Sequence, residues 1–405
     1  MKSLDVRCHE GRDAVGDLTA PLAAAGLLPM PILAMDPEYL ATGLEGDHPA
    51  ALVAYDEACP VAYLPFLIRR GRFPIRLGPL ALGRLPYRQL RLFGYRGHGD
   101  DHRVILDLFF DRLIRDYGCR YDVALVSEWP IDDPLADYLS QAPWPAGRSL
   151  RVESRVLDSY RVAIAGTFEG YWQRRFTTKT RNTIRRKLRK LDDSAAGQVS
   201  TRVYTTADQV EEFLRDAESV ARRSYQWRRG YEVLRASPAE HRRLAHLAQR
   251  GQWRGYILFV RDAPCAYCQG TVYARKFDYE IPGYDERFER LNPGTVLLYK
   301  ILEDLFASGV ADELDFGAGP AEYKRLFATS NPMVLYANLY PNRAYARLLR
   351  GLDAGCRWLA ATGKAWGVRL RRRPRAIASG PPPLPRQRAI AVGLETPPSS
   401  CGPGE

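Results

Sequence analysis

Apolar residues return every four positions at Leu297, Ile301 and Leu305, a spacing that predicts a helix with one buried face. Asn292 and Pro293 stand just before it, suited to the cap and the first helical position. The run Leu314-Asp315-Phe316 alternates instead, predicting a strand with its two apolar side chains on one face and Asp315 on the other. Strands are expected over 256–261, 265–274, 277–285, 313–316 and 334–340. Helices are expected over 168–192, 207–224, 238–250 and 321–327. The order is an antiparallel meander feeding a helical crossover, a mixed α/β arrangement.

The same pattern occurs earlier in the chain. Residues 52–63 read as strand, tight turn at Asp56, strand, and residues 258–267 repeat this around Asp262. Residues 104–113 leading to 122–126 read as amphipathic helix, turn, strand, matching 296–305 leading to 313–316. The chain is therefore expected to be α/β (α+β) in class, with two copies of a mixed, mostly antiparallel sheet flanked by helices, over 1–150 and 151–345. An amphipathic basic helix follows over 346–370. Residues 371–405, rich in proline and arginine with few large apolar residues, are expected to be disordered.

Composition narrows the classes. The 405 residues are 46% hydrophobic and 26% charged, which excludes a mostly disordered chain. A formal charge of +12 favours anionic partners without choosing among nucleic acid, phosphorylated cofactors and acidic membranes. Seven scattered cysteines argue against a disulfide framework and for a reducing compartment. With no apolar signal core at the start and no long uncharged apolar run, a cytoplasmic location is the expectation, with peripheral membrane contact through the 346–370 helix as a further option.

Three segments carry candidate chemistry. The start of the Pro293 helix offers backbone N–H groups and the positive end of a dipole; Gly294 lets a phosphate approach, and Arg290 adds charge. The preceding strand contains Pro282-Gly283, so a bulge or splay is expected there, with Glu280 placed as a general base. After Asp315, the loop Gly317-Ala-Gly-Pro320 leads into a helix bearing Tyr323, a candidate proton donor, and Lys324, a candidate anion holder.

The meander, the Asn-Pro-Gly helix start and Asp315-Phe-Gly-x-Gly-x-x-x-Tyr-Lys-Arg325 together resemble the GNAT acyltransferase superfamily. The basic stretch 179–188 and Ser224-Tyr-Gln-Trp-Arg-Arg-Gly230 extend the resemblance to its FemAB-like, CelD/BcsL-type branch of acetyltransferases. The resemblance covers roughly 160–345, and the N-terminal half as a degenerate copy. It implies tandem GNAT-like domains and direct acyl transfer from acetyl-CoA or another acyl-CoA to an amine, in cell-envelope or polysaccharide metabolism. It places the thioester against 279–283, the pyrophosphate at Arg290, Asn292, Gly294 and Thr295, and the catalytic groups at Glu280, Tyr323 and Lys324. Arg181, Arg185, Tyr225, Trp227 and Asp315 are the expected acceptor contacts, the acceptor being a small-molecule or saccharide amine. The loop Arg290-Leu-Asn-Pro-Gly-Thr295 has one glycine where the family has two, which keeps an aminoacyl-tRNA donor as the alternative.

Between Tyr171 and Leu191 there are nine Lys or Arg and no acid. Interleaved with Trp172 and Phe176, this run is a candidate for tRNA, or for framing an anionic acceptor or cofactor phosphates. A non-catalytic scaffold at an anionic membrane surface is the remaining alternative. No metal is expected. Cys265 and Cys268 have CxxC spacing but, three apart on a strand, are expected to face opposite sides. His98 and His102 lie in a Gly/Asp loop, and His241 and His246 have no acidic partner at useful spacing.

Overall fold

The computed structural model describes residues 4–42, 48–77, 80–141, 150–228 and 233–371. The expected disordered tail, apart from Arg371, and Gly230 lie outside them. The strands of the described residues form one 13-stranded sheet. They are β1 (Leu4–Glu10), β2 (His48–Asp56), β3 (Cys59–Leu77), β4 (Leu80–Leu92), β5 (Arg96–Gly97), β6 (Val123–Pro130), β7 (Leu150–Ala163), β8 (Val199–Tyr204), β9 (Trp253–Val260), β10 (Ala263–Tyr273), β11 (Lys276–Tyr284), β12 (Glu313–Ala318) and β13 (Met333–Pro341).

Two similar units are visible in the order. Strands β1 to β4 form an antiparallel meander, the helix His102–Tyr117 crosses over, and β6 returns parallel to β4. Strands β8 to β11 form a second meander, the helix Pro293–Ser308 crosses over, and β12 returns parallel to β11. A crossover helix is what a parallel pair requires, since a tight turn cannot join two strands running the same way. The strands that end the units are exchanged. β7 pairs with β12, β13 pairs with β6, and β7 and β13 pair with each other at the centre.

Apolar residues from both units share one core, which joins Leu52 and Phe110 to Phe213, Trp253 and Leu335. A second core lies under the Pro293 helix, where Leu297, Ile301 and Leu305 are all buried against Phe277, Leu314 and Tyr171. The four-residue spacing in the sequence and this burial are one fact seen twice.

The basic helix differs from its expectation. It is two helices, Phe168–Arg175 and Thr178–Ser194, because Phe176 is extended and Thr177 turns its side chain onto the Thr180 N–H as a cap. A threonine side chain that satisfies an orphan N–H favours a fresh start over a continuous helix. The cysteine pair also differs. Cys265 and Cys268 lie in the same core, because the pairing of β9 with β10 is irregular between Pro264 and Ala266 and shifts the alternation by one. Burial pushes the Cys265 thiol up to about 12, so it stays protonated and inert.

Candidate active site

Strands β11 and β12 pair over only three residues, Lys276 with Glu313, Phe277 with Leu314, and Asp278 with Asp315. Beyond this point each strand has a reason to leave the ladder. The Asp315 carboxylate accepts the Gly317 N–H at 2.7 Å, and Gly317 has φ of +70°, so β12 turns away. In β11, the pairing with β10 slips between Gln269 and Gly270, which leaves Glu280 as an extra residue just past the end of the β12 pairing. The pairing itself is surrounded by charge. Arg161 lies 3.2 Å from Asp315 and 3.3 Å from Glu313, while Lys276 lies 2.9 Å from Asp278.

The gap is filled by three aromatic rings. Tyr279 packs edge-on to Phe316 at 5.4 Å between centroids, and Phe316 edge-on to Tyr323 at 5.6 Å. Tyr279 lines two cavities, one on either side of this cluster.

The first cavity, about 640 Å³, runs from the splayed strand to the start of the Pro293 helix. Pro282, Gly283, Asn292, Gly294, Thr295, Tyr225 and Tyr323 line it. Asn292 sits in the left-handed region (φ 57°, ψ 46°), since it also ends the 3-10 turn Glu286–Leu291, and its side chain makes no cap bond. The expected cap is therefore absent, and the side-chain amide donates instead to the Arg290 carbonyl at 3.4 Å. Thr295 and Val296 N–H groups turn back to the Asn292 carbonyl. Glu286 and Glu289 line the same cavity, Glu286 held 2.9 Å from Arg228. Burial pushes the Tyr323 hydroxyl up, so it holds its proton well above neutral pH.

The second cavity, about 1070 Å³, lies between the two units. Asp278 and Glu280 reach it from β11, Asp315 from β12 and Lys324 from the helix Glu322–Phe327. Tyr39, Arg91, Glu128 and Tyr336 line it too. Glu280 accepts from the Thr271 hydroxyl at 2.9 Å and the Gln269 amide at 3.3 Å, with Arg243 at 3.9 Å. Burial pushes the Asp278 carboxyl up to about 6, against the pull of Lys276. Lys324 donates to the carbonyls of Gly317 and Ala318 at 3.1 and 3.0 Å, and burial lowers its pKa. Glu128, itself at φ 57°, accepts from the Ala318 N–H at 3.2 Å and the Tyr336 hydroxyl at 2.6 Å. It ties the first unit to the last residue of β12.

The structure thus brings Glu280, Lys324 and Asp315 together in one cavity, and Tyr225, Tyr323, Asn292, Gly294 and Thr295 in the other. Four expected residues line neither. Arg181 donates to the Gln173 and Phe176 carbonyls at 3.2 and 2.6 Å, closing the end of the helix before it. Arg185 is exposed on the Thr178–Ser194 helix, and Trp227 lies against Arg222 and Arg235. Arg290 is exposed, its carbonyl taken by Lys190 at 2.9 Å. Sequence reading missed Asp278, Arg243, Thr271 and Glu128. Asp278 was within reach, because it alternates with Phe277 and Tyr279 as Glu280 does. The others come from distant segments and leave no local signal.

Among the described residues, no group of three His, Cys, Asp or Glu is placed to hold a metal ion. His98 instead bonds the Ala25 carbonyl at 2.8 Å, and His102 the Tyr95 hydroxyl at 3.0 Å. No described helix is long and apolar enough to cross a membrane.

No curated protein matches the chain in sequence. Among solved structures, L-PGS from Bacillus licheniformis is similar with 10% identity, a TM-score of 0.48, and coverage of 85% of this chain and 96% of its own. FemX is similar with 10% identity and a TM-score of 0.47, over 76% of this chain and 91% of its own. A tandem GNAT protein from the clavulanic acid biosynthesis pathway has 12% identity and a TM-score of 0.45, over 82% of this chain and 98% of its own. At those scores the three likenesses carry no weight in assigning the site. The sequence match is local and covers the splayed strands: residues 178–325 match the family described as the acetyltransferase (GNAT) domain.

Proposed function

We propose that the protein is an acyl-CoA-dependent N-acyltransferase in which the acceptor amine attacks the thioester directly. The observation that carries this reading is the splay of β11 from β12, with one cavity on each side meeting at Tyr279. A donor in the 640 Å³ cavity would lay its phosphates at the uncapped helix start, where Gly294 leaves room, and its thioester along the strand at Pro282-Gly283. An acceptor amine would enter from the 1070 Å³ cavity, past Glu280 and Asp278. The amine nitrogen bonds the carbonyl carbon, the carbon–sulfur bond breaks, and the amine proton passes to a carboxylate of this pair. The departing thiolate takes its proton from Tyr323, which burial keeps protonated. Lys324, held by two carbonyls, fixes the loop between Asp315 and Tyr323. It is a positioning residue in this reading.

An aminoacyl-tRNA donor is the second reading, and one observation favours it. Arg185, Arg186, Arg189 and Lys190 stand exposed on the Thr178–Ser194 helix, and Lys190 reaches the Arg290 carbonyl two residues before Asn292 of the donor cavity, so a polyanion would find basic side chains beside it. Titration of the full chain with coenzyme A, acetyl-CoA and bulk tRNA by calorimetry separates the two. Saturable binding of coenzyme A supports the first reading. Binding of tRNA alone, with a steep loss in salt, replaces it with the second. Once turnover is measurable, Glu280→Gln and Tyr323→Phe should each lower kcat by about 10²–10⁴-fold. Unchanged turnover in both would remove these residues from the chemistry.

A further inference from the structure

The helix Pro238–Gln249 turns one face toward the first unit. Arg243, His246 and Arg250, the last just beyond the helix end, follow at spacings of three and four, which stacks them on that face. All three meet one short segment, the helix Pro37–Thr42. Thr42 bonds the His246 ring at 2.9 Å, and Glu38 pairs with Arg250. Asp36 starts that segment. One of its carboxylate oxygens accepts the Glu38 and Tyr39 N–H groups at 3.0 and 3.1 Å, and the other accepts the Tyr273 hydroxyl of β10 at 2.9 Å. The first unit is thereby tied to both the helix and β10 of the second, at the place where Tyr39 stands.

Arg243 leads from this docking face to the candidate site. Its side chain is only 16% exposed, so its charge has to be matched nearby. Glu240, three residues earlier, takes Nε and Nη2 with its two oxygens at 2.9 and 2.8 Å. A two-point clamp of this kind fixes the plane of the guanidinium. The Nη2 so held lies 3.9 Å from Glu280. Tyr39, buried beside them, faces the same group: burial pushes its hydroxyl up, and Arg243 pulls it back through charge and a hydrogen bond.

Glu280 needs such support because of where it stands. The slip in the β10–β11 pairing makes it an extra residue with no β10 residue opposite, so the ladder does not fix its direction. Its side-chain contacts do. The Thr271 hydroxyl donates to one oxygen at 2.9 Å, while the Gln269 amide, at 3.3 Å, and Arg243 face the other. Thr271 and Tyr273 are two apart on β10 and share a face, so the Asp36 anchor lies on the same side as this contact. Tyr39, Thr271 and Glu280 all line the 1070 Å³ cavity, whereas Arg243 lines neither cavity.

We propose that Arg243, held by Tyr39 of the first unit, is a positioning residue for Glu280, so that the docking of the two units sets the aim of this carboxylate at the acceptor. The role rests on the acyl-transfer reading above. It also gives the first unit a part in the chemistry of the second. A displacement of about 1 Å in a reacting group can cost on the order of a hundredfold in rate.

The test uses the full chain and follows thiol release from acetyl-CoA, with water or added ethanolamine as acceptor, alongside calorimetric binding of coenzyme A. Tyr39→Phe should lower kcat by about three- to tenfold and Arg243→Gln by on the order of a hundredfold. Coenzyme A affinity should stay at the wild-type value, because neither residue lines the donor cavity. Arg243→Lys, which keeps the charge, should recover part of the loss. In a Glu280→Gln background both changes should have no further effect on kcat, since they act through that carboxylate. Urea unfolding of Tyr39→Phe, Glu280→Gln and their combination should be non-additive in the same way. Wild-type kcat in Tyr39→Phe and Arg243→Gln, or full additivity with Glu280→Gln, would overturn the positioning role. Weakened coenzyme A binding together with a lowered melting temperature would reduce Arg243 to a structural residue. Failure of the wild type to release thiol would remove the acyl-transfer reading itself, and this role with it.

Discussion

Replacing Gly294 by glutamate places a carboxylate at the second position of the Pro293 helix, inside the proposed donor cavity. The fold tolerates it. A Cβ at Gly294 meets only the Tyr284 ring, at an ordinary 3.6 Å, and the backbone there does not need glycine. A negative side chain in the first turn of a helix is mildly favourable, about 0.3–1 kcal/mol, so the melting temperature should hold or rise slightly. Binding should suffer. A unit charge about 5 Å from one phosphate charge, at an effective dielectric constant of about 20, costs about 3 kcal/mol. That weakens coenzyme A on the order of a hundredfold. Gly294→Ala adds a methyl without charge and should change affinity by less than about tenfold, which separates electrostatics from bulk. The assay is calorimetric titration at low and high salt, with unfolding followed by circular dichroism. If Gly294→Glu binds coenzyme A like wild type while remaining folded, the pyrophosphate does not sit at this helix start, and the placement of the donor is refuted.

Two further predictions concern titration. Because Asp278 ionises near pH 6, kcat/KM should climb with pH through about 6, and Asp278→Asn should remove that limb. A limb that persists in the asparagine variant would assign it to another group. The stability sign follows from the same raised value: the folded carboxyl holds its proton more tightly than the unfolded one, near 4, so its contribution declines from about pH 4 to about pH 6. Asp285 behaves in the opposite sense. Burial raises its pKa, but bonds from Arg287 and Arg223, each at 2.7 Å, outweigh burial and hold it below the ordinary range. Its stabilisation is therefore present at neutral pH and lost as pH falls below about 4. Asp285→Ala should cost about 2–3 kcal/mol in urea unfolding at pH 7 and flatten the acid dependence. An acid limb as steep in the variant as in wild type would sink that assignment.

Local signals fixed the elements on which the candidate site is built. The four-residue spacing at Leu297, Ile301 and Leu305 decided the helix, because burying one stripe of a helix demands that period. Glycine at 317 takes a positive φ where β12 turns away, whereas the break expected at Pro282-Gly283 falls earlier, at Glu280: Pro282 and Gly283 stay in register opposite Cys268 and Tyr267. The repeated order of meander, helix and strand was legible for the same reason: each copy needs its own turns and periodicities.

What the chain order concealed is which pieces meet. Nothing local in 150–163 or 333–341 says that β7 completes the second unit and β13 the first, because strand partners are chosen by burial across the whole sheet. That exchange joins the units through the pair β7–β13 and leaves the large cavity between them. Arg243 from a helix and Thr271 and Gln269 from β10 gather on Glu280, and Glu128 reaches the end of β12 across 190 residues of chain. Conversely, Arg181 in the basic run spends its guanidinium on neighbouring carbonyls, since orphan acceptors at the end of a helix lay closer than either cavity. Residue type and spacing decide what a segment becomes. Which side chains share a cavity depends on long-range packing, and only the folded chain settles that.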